Sequence, residues 1–131
     1  MSDTGGESRV FSAITATRVI ACKAALDTVA VTAGATILRF ADDDALIIDG
    51  EATRLDDPDA IIEPETGLVG AWFLDAATLQ PHVAWPLPEG RGVVAQGAIR
   101  GVGARIFIDE SRRALVLVAA PVAQELAERL S

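Results

Sequence analysis

The sequence predicts an α+β fold: a largely antiparallel sheet built from two β-hairpin units, with a short kinked helix between them and a helix at the C-terminus. Three observations carry this expectation. Apolar runs rich in Ala, Val and Ile are twice split by a short polar segment, at Asp42-Asp43-Asp44 and again at Glu110-Ser111-Arg112-Arg113, as a hairpin connection requires. Asp75 is placed to cap a helix that Pro81 must then kink or split, because proline removes a backbone donor. Val122, Leu126 and Leu130 recur at i, i+4 and i+8, one face of a helix.

With 131 residues the chain fits one domain, expected over residues 10–131 behind a flexible tail at 1–9 that lacks apolar periodicity. Thr17 to Lys23, Thr28 to Ala33 and Ala35 to Ala41 are rich in Val, Ile and Thr and read as strands. Within them Arg18 to Leu26 also fits a helix, since Ala-rich segments with β-branched residues are ambiguous, and strand is preferred. The first hairpin joins Ile37–Ala41 to Ala45–Ile48. The second joins Arg105–Asp109 to Ala114–Ala120, an apolar run suited to a strand buried on both faces. The hairpins superpose at an offset of 69 residues, Gly34-Ala35-x-Ile37 on Gly103-Ala104-x-Ile106 and Ala45-Leu46-Ile47 on Ala114-Leu115-Val116, which suggests two related units sharing one sheet. Between them the helix after Asp75 is expected through Ala76, Ala77, Leu79 and Val83, and Pro86, Pro88 and Gly90 mark a loop. Gly97, Gly101 and Gly103 are spaced as bulges or tight bends would be. Pro121 suits the first position of the last helix, where Glu125 and Arg129 form an i, i+4 pair.

Composition narrows the function classes. Half the residues are apolar but only four Phe and two Trp are aromatic and Tyr is absent, so the core is built from small and aliphatic side chains. The net charge of −8 is concentrated in residues 42–65, where ten acids stand against Arg54 alone. No basic stripe or aromatic platform serves a nucleic acid, and an acidic surface does not suit anionic membranes. No apolar run reaches the about 20 residues of a membrane span, no signal peptide is visible, and a single cysteine allows no internal disulfide; the expected location is cytoplasmic.

Candidate site residues are few. His82 is the only histidine, so catalysis or metal binding through it would need Glu63, Glu65 or Asp75; beside Pro81 and Trp85 it reads more simply as a partly buried helix-end residue. Trp72, Phe73 and Trp85 flank the kinked helix as core anchors, or as an interface if the indoles are exposed. Cys22, among Val19, Ile20, Ala21 and Ala24, reads as an unreactive core thiol. Residues 97–103 are glycine-rich but continue into a strand, so no helix N-terminus is supplied for a phosphate. The acidic stretch could hold a hard cation but does not match an EF-hand; a solvated loop or a docking face for a basic partner is the simpler reading.

The C-terminal half resembles a known family. Thr66-Gly67-Leu68-Val69-Gly70-Ala71-Trp72-Phe73, a helix, Trp85-Pro86-Leu87-Pro88, then Val94 to Arg105 with its Gly97, Gly101 and Gly103, and finally Ala114 to Val118 before a terminal helix, are ordered as in the gamma subunit of heterotetrameric sarcosine oxidase. That subunit is a relative of the glycine-cleavage aminomethyltransferase-like folate-binding family. The resemblance implies a noncatalytic subunit packed on a larger flavin- or folate-using partner, with no active-site residue to carry over. The function expected is therefore an interaction module, an accessory subunit or a homo-oligomer, with no cofactor or metal of its own. The alternative is a small-molecule or metal binder using residues 42–65 or a pocket at His82 and Trp85.

Overall fold

The computed structural model describes residues 11–131, and the tail expected at 1–9 lies outside them. In chain order the elements are β1 (Ser12–Ala13), β2 (Ala16–Ile20), α1 (Lys23–Asp27), β3 (Ala30–Val31), β4 (Thr36–Ala41), β5 (Asp44–Ile48), β6 (Ala52–Arg54) and β7 (Ile61–Glu65). They continue with β8 (Leu68–Phe73), α2 (Ala76–Leu79), a 3₁₀ turn at Gln80–His82, β9 (Val93–Ile99), β10 (Val102–Ile108), β11 (Ala114–Ala119) and α3 (Ala120–Leu130). The fold is α+β and its strand pairs are antiparallel, as the hairpin pattern predicts. The chain divides into two compact units, Ile14–Thr66 and Gly67–Ser131, the second including β1.

In the Ile14–Thr66 unit a four-stranded sheet has the order β4-β5-β2-β7, beside a two-stranded ribbon of β3 and β6. Val19, Ala45 and Ile47 from the sheet are buried with Ala25 and Leu26 of α1. The ambiguous segment Arg18–Leu26 proves to be both structures in turn: β2 takes the β-branched residues up to Ile20 and α1 takes Ala24, Ala25 and Leu26, which lose less side-chain freedom in a helix. The switch falls at Cys22, whose extended backbone precedes α1 and whose N–H donates to Asp57 Oδ2 at 2.8 Å. Cys22 is exposed, contrary to the expected core thiol, because it stands at the strand-to-helix corner and not on the buried face of either element.

In the Gly67–Ser131 unit a five-stranded sheet has the order β1-β8-β11-β10-β9. Val102, Ala104, Ile106 and Ile108 of β10 and Ala114, Val116 and Val118 of β11 alternate onto one face. There they pack with Phe73, with Leu79 of α2 and with Leu126 and Leu130 of α3. Each fully buried Leu or Ile here removes enough apolar surface from water to contribute about 2 kcal/mol. Strand β11 is buried from Ala114 to Val118, as its unbroken apolar run predicts. Asp75 Oδ1 accepts the Ala77 N–H at 2.9 Å, α2 stops at Leu79, and Pro81 falls in the 3₁₀ turn, so the kinked helix ends four residues before Val83. Pro121 lies in the first turn of α3, one residue after its start at Ala120; Leu126 and Leu130 are buried, and Arg129 pairs with Glu125.

The 69-residue offset survives as strand register. Leu38 faces Leu46 and Ile37 faces Ile47 in the first hairpin; Phe107 faces Leu115 and Ile106 faces Val116 in the second. The likeness extends further. The order β4-β5-β2-β7 corresponds to β10-β11-β8-β1, and β2 and β8 are each followed by a short helix. The two hairpins do not share a sheet, however. Local turn chemistry sets the pairing within a hairpin, while sheet membership is decided by the long-range partners β2 and β8, which the hairpin sequences do not encode. The glycines divide likewise. Gly101, at φ +84°, forms with Arg100 the two-residue turn between β9 and β10, whereas Gly97 and Gly103 lie in an uninterrupted β9–β10 register and form no bulge.

Candidate functional site

Strand alternation decides which of the paired aromatics reaches the surface. Phe73 points into the core at 0 % exposure, and Trp72, one residue earlier on β8, is 42 % exposed. Phe73 is thus corrected from possible interface residue to core anchor. Opposite β8, on β11, Trp72 faces Leu115, and the guanidinium of Arg113 lies over its ring at 4.7 Å from the centroid. Leu74, just past the end of β8, is 85 % exposed. Arg113 is itself anchored, its Nε donating to Asp109 Oδ2 at 2.7 Å. Trp72 and Arg113 are of the residue types most enriched at binding hot spots, and Leu74 adds exposed apolar surface beside them in the chain.

His82 and Trp85 are brought together with a residue the sequence reading missed. Trp85 Nε1 donates to the carbonyl of Ala98 on β9 at 3.0 Å, and its ring lies against Gly97, where a Cβ would come within 2.5 Å of the indole. Gln80 pins the loop, its Nε2 donating to Trp85 O at 2.9 Å and its Oε1 accepting the Leu87 N–H at 2.8 Å. Arg100, at φ +50° in the β9–β10 turn, places Nε and Nη2 at 3.3 and 3.0 Å from His82 Nδ1. A guanidinium only donates, so His82 Nδ1 is the acceptor in this contact. The glycine spacing predicts bulges or tight bends, and the bend at Arg100-Gly101 is the signal for Arg100, but the spacing does not say what the turn meets.

Of the three carboxylates considered beside His82, Asp75 lies in the same unit and caps α2, while Glu63 and Glu65 belong to the Ile14–Thr66 unit. Glu63 and Glu65 lie on the exposed edge strand β7, in register opposite Arg18 and Ala16 of β2. In the acidic stretch Asp44 binds Arg18 through both oxygens, at 3.2 and 2.9 Å. Among the described residues no group of three or more His, Cys, Asp or Glu side chains is arranged to hold a metal ion.

Several acids are structural. The N–H groups of Cys22 and then Asp59 hold the Asp57 carboxyl below the usual range, and Asp27 is lowered first by Lys23 and also by Arg39. Burial acts to raise Asp109, but the backbone N–H and guanidinium of Arg113 and the Ser111 N–H outweigh it and lower that group as well. A carboxylate whose folded pKa lies below its unfolded value stabilises the fold fully above the unfolded value, and the contribution is lost as pH falls through the folded one. The urea midpoint is therefore expected to hold from pH 7 to about 5 and to fall below about pH 4, with a shallower acid limb in Asp109→Asn. An acid limb unchanged by that substitution would exclude Asp109 from the effect.

The structure thus defines an α+β sheet protein with an exposed aromatic patch on one strand and a His–Arg contact in a shallow cavity. No protein-family model and no curated protein matches the chain. Among solved structures it is similar to a chain of heterotetrameric sarcosine oxidase from Corynebacterium sp. U-96, determined in complex with pyrrole 2-carboxylate. The TM-score is 0.68 at 13 % identity over 93 % of this chain and 80 % of that one. At that identity the likeness is one of fold. It covers 93 % of this chain and so extends well beyond the C-terminal half in which the sequence resemblance lies. No helix of the described residues is long and apolar enough to cross a membrane.

Proposed function

We propose that this chain is a noncatalytic interaction module, a small accessory subunit of a heteromeric enzyme that uses flavin or folate. The observation that carries the reading is the exposed Trp72 ring, stacked by Arg113 and neighboured by Leu74, on a strand whose other face is core. Large apolar side chains held at a surface by a rigid sheet make an interface with little ordering cost on binding. The fold neighbour, a subunit of a heterotetrameric enzyme, supports a protein partner, and the resemblance to the gamma subunit of that enzyme motivates the flavin or folate link.

The test is an affinity purification of the full chain from its native host, with light scattering and mass spectrometry of the eluate. A larger flavin- or folate-dependent enzyme is expected to coelute in fixed ratio. Trp72→Ala is expected to weaken its retention at least about tenfold while costing only about 1 kcal/mol of fold stability. The proposal is lost if Trp72→Ala retains the enzyme as well as the parent, or if the chain elutes alone and turns over a substrate.

A further inference from the structure

We infer that the cavity formed by the Pro81–Trp85 segment against the β9–β10 turn is a binding site for a small carboxylate with a flat apolar body. The cavity holds about 320 Å³, and Pro81, His82, Val83, Trp85, Ala98 and Arg100 are among its lining residues. That volume lies at the low end of small-molecule sites.

Charge selects the ligand class. In the same unit Arg113 and Arg129 are ion-paired with Asp109 and Glu125, and Arg112 donates to the carbonyls of Pro88 and Gly90. The Arg100 guanidinium instead donates to His82 Nδ1, and no carboxylate among the described residues pairs with it. The rest of its donor fork has no acceptor among the described residues, so it suits a ligand that brings its own negative charge and accepts two parallel hydrogen bonds.

Position supports the same reading. Arg100 stands at φ +50°, where Gly, Asn or Asp would be at lower cost. Its backbone is nonetheless held there, its N–H donating to His82 O at 3.3 Å and its carbonyl accepting Arg129 Nη1 at 2.6 Å. The side chain is thereby carried on a fixed turn and braced by the imidazole. Val83 and Trp85 add apolar wall, and Gln80 and the Ala98 carbonyl lock the Trp85 segment in place. A carboxylate on Arg100 with its apolar body along Val83 and Trp85 satisfies both halves of the site.

The test is a titration of the full-length, isotope-labelled chain with benzoate, with benzamide as the neutral analogue and with inorganic phosphate. The readouts are the Trp85 indole N–H, assigned by comparison with Trp72→Phe, and the Gly101 amide. Benzoate is expected to give saturable shifts at both, with benzamide and phosphate each at least about tenfold weaker. Arg100→Asn keeps a residue suited to positive φ and should retain the melting temperature while weakening benzoate about tenfold. Equal responses to benzoate and benzamide, or unchanged benzoate binding in Arg100→Asn, would overturn the site. Phosphate binding as tightly as benzoate would overturn the carboxylate class.

Discussion

Replacing Phe73 with alanine is expected to destabilise the Gly67–Ser131 unit by about 3–5 kcal/mol, read as a lowered urea midpoint at constant slope. Phe73 is wholly buried and packs in one cluster with Leu79, Ile106, Val116 and Leu126, drawn from two helices and two strands. Removing the ring leaves a cavity bounded by all of these elements, so no single side chain can close it. Trp72→Ala removes a larger side chain from the adjacent position and should cost only about 1 kcal/mol, because that ring is nearly half exposed and its specific contact is the one with Arg113. The two substitutions therefore separate stability from binding at neighbouring residues. Equal losses of stability would mean that Trp72 is buried in solution, and the proposed docking face would then be withdrawn.

The contrast also marks where sequence reasoning stops. Trp72-Phe73 announces an apolar pair in a strand, and alternation requires the two to face opposite ways, but which one faces the core depends on the register of β8 against β11. That register is a long-range fact. Local features were legible: the two polar turns, the Asp75 cap, the break at Pro81 and the Val122, Leu126 and Leu130 stripe all depend on residues within a few positions of one another. Cys22 departs from the expected core thiol because its apolar neighbours belong half to a strand and half to a helix, and the corner between the two is exposed. The His82–Arg100 contact spans 18 residues and exists because the β9–β10 turn brings Arg100 back to the helix end. Neither residue alone signals the other.

Gly97→Val sets two physical effects against each other. In the middle of a seven-residue strand, valine has the higher β propensity and glycine the larger entropy of ordering, which together favour the substitution by up to about 1 kcal/mol. The space at this position opposes it. A Cβ on Gly97 would lie 2.5, 2.6 and 2.9 Å from Cζ2, Cε2 and Nε1 of Trp85, and these are atoms of a rigid ring. The indole cannot turn aside freely, since Nε1 is bonded to Ala98 O and Gln80 ties the loop at Trp85 and Leu87. Accommodating valine therefore requires the ring to leave, losing that hydrogen bond as well as straining the loop. A net destabilisation of about 2–4 kcal/mol is expected, the clash and the lost bond outweighing the propensity gain. In a Trp85→Ala background the ring is absent, and the same substitution should become neutral or stabilising. A thermodynamic cycle over the four proteins reads this directly as a coupling energy of opposite sign to the single-mutant cost. Additive effects would show that Trp85 does not rest on Gly97 in solution, and the cavity whose wall it forms would lose its shape along with the contact.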